Sequence, residues 1–228
     1  MLINKNTSMC ISLAKKAGNF GCSIHNEAFK YTGLNFIYKS FSTENLKASI
    51  YGMRALEIRG AGITMPYKID VLKYVDEFSE EVVSIGSANT VVNTNGILKA
   101  YNTDAFSAYE TLLKYSNHDT VFILGAGGFS KAVEFSSRKI FKNVNIISRS
   151  SWGEIKHIKD SLIFNCTPVE NIEIDKSNDF IDCLIDTKSG MEISLLQASK
   201  QFELYTGKSF PISYIRQNFN LILEKNRV

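Results

Sequence analysis

Apolar residues in this chain fall into short runs separated by glycine- and hydroxyl-rich turns, a pattern of strands alternating with amphipathic helices. Residues 9–13 are apolar and predict a first strand, and the glycines of 15–21 predict a loop. Residues 23–34 read as a helix with Ile24, Ala28 and Tyr31 on one face and Gly33 near its end. Residues 35–41 alternate and predict a second strand. Thr43 is placed to cap a helix over 44–56, with Leu46, Ile50 and Met53 inward. Over 60–68, Pro66 forbids a regular central strand. A strand ending there, with a helix from about Tyr67, leaves Thr64 and Lys68 at a strand's end, where α/β sheets place ligands. Residues 85–93 read as strand-forming, 94–96 as a turn, 97–101 as the returning arm of a hairpin, and 105–115 as a helix.

The second half repeats the alternation. Val121 to Leu124 predicts a buried strand, and Gly125, Gly127 and Gly128 a tight turn before a helix over 129–140. Further strands are expected over 143–147, 161–166 and 180–185. The connections 151–160 and 169–179 are short, whereas parallel strands need a crossover of about a dozen residues or more. The later part of this sheet is therefore expected to be abbreviated. A long helix over 190–205 stops at Gly207, and a last amphipathic helix is expected over 214–225, carrying Ile215, Phe219, Ile222 and Leu223. The polar tract 114–120 separates two βα patterns and places a domain boundary there or in the preceding helix. The fold class is α/β.

Composition narrows the function classes. The chain has 228 residues and is 44% hydrophobic, enough for one large or two small domains with a real core. A formal charge of +3 is too mild to imply nucleic acid and is compatible with small anionic ligands. No run approaches the ~18 apolar residues of a membrane helix. No secretory signal is read at the N-terminus, so a cytoplasmic location is expected. Cys10, Cys22, Cys166 and Cys183 form no C-x-x-C pair and read as free thiols in a reducing compartment. His25, His118 and His157 are scattered without metal-ligand spacing, so no metal is expected.

The candidate chemistry centres on the strand–glycine–helix at 121–132. Glycine lets the backbone approach a pyrophosphate, and the helix-start N–H groups point at it. Ser130 stands where the third glycine of G-x-G-x-x-G would be. Taken alone, the motif fits a dinucleotide site, a bare turn or another nucleotide-derived cofactor. The next strand ends in Ser148-Arg149-Ser150, with no acid to hold a ribose diol. A guanidinium forks onto phosphate oxygens, which favours NADP over NAD, against a plain surface arginine. Local sequence leaves three residues open: Lys68 as an exposed helix-start lysine or a ligand group, Asp104 as a cap or a functional acid, and Asn89 as a turn residue or a ligand group.

Taken in order, Ile63-Thr-Met-Pro-Tyr-Lys68, Gly86-Ser-Ala-Asn-Thr90, Asn102-Thr-Asp104, Gly125-Ala-Gly-Gly128, Asn165-Cys-Thr-Pro168 and Gly190 through Gln197-Ala198 resemble the shikimate dehydrogenase family. The resemblance covers nearly the whole chain. It implies an N-terminal α/β substrate domain, 1–104 with 191–228, and an abbreviated Rossmann-type NADP-binding domain, 105–190, with the C-terminal helices returning to the first domain. It also implies NADP-dependent interconversion of shikimate and 3-dehydroshikimate, with Lys68 and Asp104 catalytic and which of them takes the proton left open. Asn19, Gly21, Thr64, Asn89 and Gln197 would bind substrate. Gly125, Ala126, Gly127, Gly128, Phe129, Ser130, Ser148, Arg149, Ser150, Asn165, Cys166, Thr167, Pro168 and Gly190 would bind the cofactor. The expected partner is a small-molecule substrate, with neither nucleic acid nor membrane, in a monomer or homodimer.

The sequence also departs from the family. A Ser-x-Ser pair before a proline holds the substrate carboxylate in the main enzyme. Asn19 and Gly21 stand there, with Cys22 in place of the proline. Asn19-Phe-Gly21, His25-Asn26 and the segment from Gln197 to Gly207 are more similar to the shikimate dehydrogenase-like branch, generally taken to oxidise shikimate less efficiently. The family also has a longer connection before Gly190, and Ile185 occupies the place of a tyrosine that often contacts substrate. Alternatives are a dehydrogenase of a related cyclic polyol acid, such as quinate or an amino analogue, and a non-catalytic ligand-binding relative. A methyltransferase reading leaves residues 64–68 unexplained.

Overall fold

A computed structural model describes residues 3–224. The chain divides into two compact units, Met1–Thr103 with Ala198–Val228, and Asp104–Gln197.

Unit 1 opens with β1 (Ser8–Ala14), α1 (Phe20–Thr32), β2 (Phe36–Ser42), α2 (Leu46–Ala55) and β3 (Gly60–Ile63). β1 pairs in parallel with β2 on one side and β3 on the other. The apolar run Cys10, Ile11, Leu13 and Ala14 is buried on both faces, as a central parallel strand requires. A 3-10 turn (Asp70–Tyr74) leads to β4 (Glu77–Phe78), α3 (Glu80–Ile85) and the antiparallel hairpin β5 (Thr90–Thr94) and β6 (Ile97–Tyr101). The six-stranded order is β2-β1-β3-β5-β6-β4, with β5 antiparallel to β3. One core gathers Ile11, Leu13, Ile50, Met53, Ile63 and Val91. Elsewhere in the unit Phe29 stacks on Phe202 at 5.3 Å, and Phe210 meets Phe202 edge-on.

Unit 2 carries most of α4 (Thr103–Leu112), a 3-10 turn (Leu113–Tyr115), the strands β7 (Thr120–Leu124), β8 (Asn143–Ile147), β9 (Leu162–Asn165) and β10 (Asp179–Asp182), and α5 (Gly128–Ser137) between β7 and β8. All pairings are parallel, in the order β10-β9-β7-β8. The β8–β9 connection is a 3-10 segment (Arg149–His157), and residues 166–178 between β9 and β10 contain no helix. The expected abbreviation is therefore present. α6 (Lys188–Thr206) begins in unit 2 and ends in unit 1, where α7 (Ile212–Gln217) and α8 (Phe219–Glu224) follow.

Several local expectations are corrected. Asn45, not Thr43, caps α2: its side-chain oxygen accepts the Ala48 N–H at 3.0 Å. The Thr43 oxygen instead accepts the Asn45 N–H, an i to i+2 turn that competes with capping. Tyr31 is 58% exposed and stacks on Tyr214 at 4.0 Å rather than facing the core. No α-helix starts at Tyr67. A turn and the Asp70–Tyr74 3-10 segment follow a cis Met65–Pro66 bond. The run 85–93 is not one strand: α3 ends at Gly86 in the left-handed region, and the strand starts at Thr90. The last helix is split at Asn218, whose side-chain amide donates to the Tyr214 carbonyl. Lys225, its expected end, lies outside the described residues.

Candidate functional site

In unit 2 the chain leaves β7 for β8 on one side and later returns to β9 on the other. That reversal makes a switch point at the carboxyl end of β7, where open α/β sheets form their crevice. A cleft of about 1040 Å³ lies there. Gly125, Ala126 and Gly127 line it from the β7–α5 turn, and Ser148, Arg149, Ser150 and Trp152 from the end of β8. Cys166, Thr167, Pro168 and Val169 line it from the end of β9.

Gly125 has φ +105°, and a Cβ there would lie 2.9 Å from Thr167 Cγ2, so both the turn and the neighbouring loop demand glycine. At Gly127 and Gly128 a Cβ would meet nothing within 4 Å, so these glycines leave space in front of the α5 N-terminus. The first N–H groups of a helix have no partner within it. Ser130 donates its hydroxyl to the Gly127 carbonyl at 2.7 Å and is buried, so a small polar residue serves where glycine was expected. Ser148 caps the 3-10 segment: its backbone N–H donates to Ser151 Oγ at 3.0 Å, and its own hydroxyl meets Ser150 Oγ at 2.8 Å.

Among the described residues, five sequence candidates for this site do not line the cleft. Gly128 and Ser130 belong to the first turn of α5. Phe129 packs edge-on against Phe164 at 6.1 Å, on the core side. Asn165 is fully buried and spends its amide internally. It donates to the Val169 carbonyl and Asp182 Oδ1, both at 3.1 Å, and accepts from the Thr167 N–H and hydroxyl. It shapes the β9 loop that carries Thr167. Gly190 is a packing glycine, since a Cβ would lie 1.9 Å from the Leu184 carbonyl oxygen.

Unit 1 has its own switch point at the carboxyl end of β1. Thr64 N–H donates to the Leu13 carbonyl and Lys15 N–H to the Met65 carbonyl, tying the two loops that leave β1 and β3. Ala88 N–H donates to the Lys68 carbonyl at 2.8 Å and Ile63 N–H to the Asn89 carbonyl at 2.7 Å. The backbones of Thr64, Lys68 and Asn89 are thereby held in one neighbourhood, with Thr64 exposed, Lys68 half-buried and Asn89 buried. Asn89 Oδ1 accepts the Thr103 N–H at 2.8 Å and the Thr103 and Thr90 hydroxyls at 3.1 Å. Asn19 is exposed immediately before α1, and its carbonyl accepts the Ser23 N–H.

Gln201 escaped the sequence reading. Its side-chain nitrogen donates to Thr90 Oγ1 at 2.9 Å, and its oxygen faces His25 Nε2 at 3.3 Å. The available signal was its place one helical turn after Gln197. His25 is stacked on Tyr38 at 4.6 Å, and burial pushes its pKa down to about 4, with the Gln201 contact working weakly the other way. Tyr38 lies against Gly21, and its hydroxyl meets Ser12 and the Gly62 backbone. Of the remaining candidates, Asp104 is 5% exposed in the first turn of α4 and belongs to unit 2, as does the half-buried Gln197.

A family profile described as the shikimate dehydrogenase substrate binding domain matches residues 20–91. The chain is 32% identical to the shikimate dehydrogenase-like protein of Haemophilus influenzae, over 90% of this chain and 93% of that one. It belongs to the shikimate dehydrogenase family.

Another family member, the shikimate dehydrogenase (NADP(+)) of Pyrococcus furiosus, is 43% identical, but the match spans 56% of this chain and about half, 48%, of that enzyme. Among solved structures, a shikimate 5-dehydrogenase-like protein superposes with a TM-score of 0.86 at 29% identity, covering 97% of this chain and 100% of that one. A shikimate dehydrogenase crystallised with NADP+ gives 0.82 at 26% identity, covering 98% and 97%. The family profile begins one residue after Asn19 and takes in Gly21, Thr64, Lys68 and Asn89. No described helix is long and apolar enough to cross a membrane.

Proposed function

We propose that this chain is an NADP-dependent oxidoreductase interconverting shikimate and 3-dehydroshikimate, with unit 1 binding substrate and unit 2 binding cofactor. The observation that carries the reading is the composition of the unit 2 cleft. One crevice at the sheet's switch point has the glycine turn on one wall and Ser148-Arg149-Ser150 on the other.

The residues present fit NADP. The open space at Gly127 and Gly128, in front of a helix N-terminus, suits a pyrophosphate. Arg149, flanked by two hydroxyls and with no carboxylate in the cleft lining, suits a 2′-phosphate. Thr167, positioned by Asn165, would face the nicotinamide side. When bound, the oxidised nicotinamide supplies a hydride acceptor for the alcohol carbon.

The chain's own residues hold the substrate and move its hydroxyl proton. In this reading Lys68 and Asp104 form the proton-transfer pair, Asp104 orienting the amine and relaying the proton. Thr64, Asn89 and Gln197 hydrogen-bond the ring hydroxyls. Asn19 supplies one amide donor to the carboxylate.

A second reading is favoured by Tyr38. Its ring crowds the space beside position 21, where the resemblance would put a serine for the substrate carboxylate. A related cyclic polyol acid, such as quinate or an amino analogue, would then be the better substrate. The purified protein, supplied with NADP and each acid in turn, should reduce the cofactor, followed by its absorbance. Preference for shikimate supports the first reading and preference for another acid the second. Calorimetric NADP binding with no turnover on any acid would instead support a non-catalytic relative.

A further inference from the structure

We propose that the indole of Trp152 forms one wall of the purine subsite in the unit 2 cleft, so that the adenine ring of the cofactor stacks on it. This rests on the NADP reading above and adds a base-binding residue to it.

Trp152 is the only tryptophan in the chain, and it lines the cleft with Arg149 and Ser150. Its place follows from the order of groups along a dinucleotide. The pyrophosphate belongs at the β7–α5 turn and the adenosine ribose at the end of the second strand, β8. The base must therefore lie beyond Ser148 and Arg149, toward the residues that follow them and the facing loop after β9. Pro168 and Val169 line that facing loop, and Trp152 is the one aromatic residue in the cleft lining.

The indole is also held in place. It is half-buried and packs against the cluster of Ile147, Ile155, Ile158 and Ile163. Ser148 and Ser151 fasten the 3-10 segment that carries it through reciprocal bonds. A rigid aromatic face set at a cleft costs little ordering when a ligand arrives, and a flat π surface is what a purine stacks on. The apolar cluster beneath it needs only apolar volume, which leucine would supply. The choice of tryptophan at the cleft is what stacking explains.

The test uses the full chain and adenosine 2′,5′-bisphosphate, which carries the base and the 2′-phosphate without nicotinamide. Tryptophan emission and calorimetric heat are followed in parallel titrations. The expected result is a saturable change in emission that tracks the heat. Trp152→Leu should weaken binding by about tenfold or more and Trp152→Phe by much less, as loss and retention of a stacking face require. Binding heat with no emission change, or equal affinity in Trp152→Leu, overturns the proposal. Absence of heat with both the bisphosphate and NADP overturns the NADP reading itself. The emission change in the unmodified protein decides the matter even where a variant folds poorly.

Discussion

The ring of Tyr38 stands where a side chain at Gly21 would have to go: a Cβ built at position 21 lies 2.9 Å from Tyr38 Cε1. The ring has little freedom to move. It stacks on His25 at 4.6 Å, and its hydroxyl meets Ser12 and the Gly62 backbone. The absence of a side chain at position 21 and the placement of the Tyr38 ring are thus coupled. Gly21→Ser should lower unfolding free energy by about 1–3 kcal/mol, the usual cost of overpacking. In a Tyr38→Val background the cost should shrink. Urea titrations of the two single variants and the double variant measure the coupling, and additive costs would refute it.

His25 predicts an acid sensitivity. The unfolded chain takes up a proton there near pH 6.5, whereas the folded chain resists until about 4 because burial penalises the charged ring. The contribution is complete above pH 6.5 and is lost as pH falls toward 4. A difference of that size corresponds to about 3 kcal/mol. His25→Phe keeps an aromatic ring against Tyr38 and removes the titration. Its stability should vary less than that of the unmodified protein between pH 7 and 4.5, as urea unfolding at several pH values would show.

Lys68→Ala should lower turnover by at least ~100-fold, the lower end of what a positioned acid–base group contributes. Asp104→Asn should act in the same direction, because the amide can orient an amine but cannot relay its proton. Steady-state kinetics with shikimate and NADP provide the measurement. Full activity in Lys68→Ala would remove the proposed mechanism.

Arg149→Ala should raise the Michaelis constant for NADP and leave that for NAD nearly unchanged, since only NADP carries the 2′-phosphate. Arg149 lies in the cleft lining between Ser148 and Ser150, whose hydroxyls bond each other at 2.8 Å. Equal changes for both cofactors would assign the arginine to general charge rather than to the phosphate.

The sequence by itself determined the strand–glycine–helix at β7 and α5, the place of Arg149 after β8, and the shortened parallel sheet. These are short-range features: an apolar run, a φ that only glycine adopts freely, and a connection too short for a crossover helix. It also placed Thr64 and Lys68 at a strand's end, though it misjudged the elements around them: a turn and a 3-10 segment follow Pro66 where a helix was expected, and α3 ends at Gly86 where a strand was expected to run. Only the tertiary structure decided which polar atoms are spent inside the protein. Asn165 is consumed by Val169, Asp182 and Thr167, and Gly190 serves a backbone contact with Leu184. Gln201 joins His25 to Thr90 across 176 and 111 positions of chain. Periodicity encodes which face of an element is apolar. The partner that satisfies a buried amide or fills the space beside a glycine comes from distant chain, and folding alone brings it there.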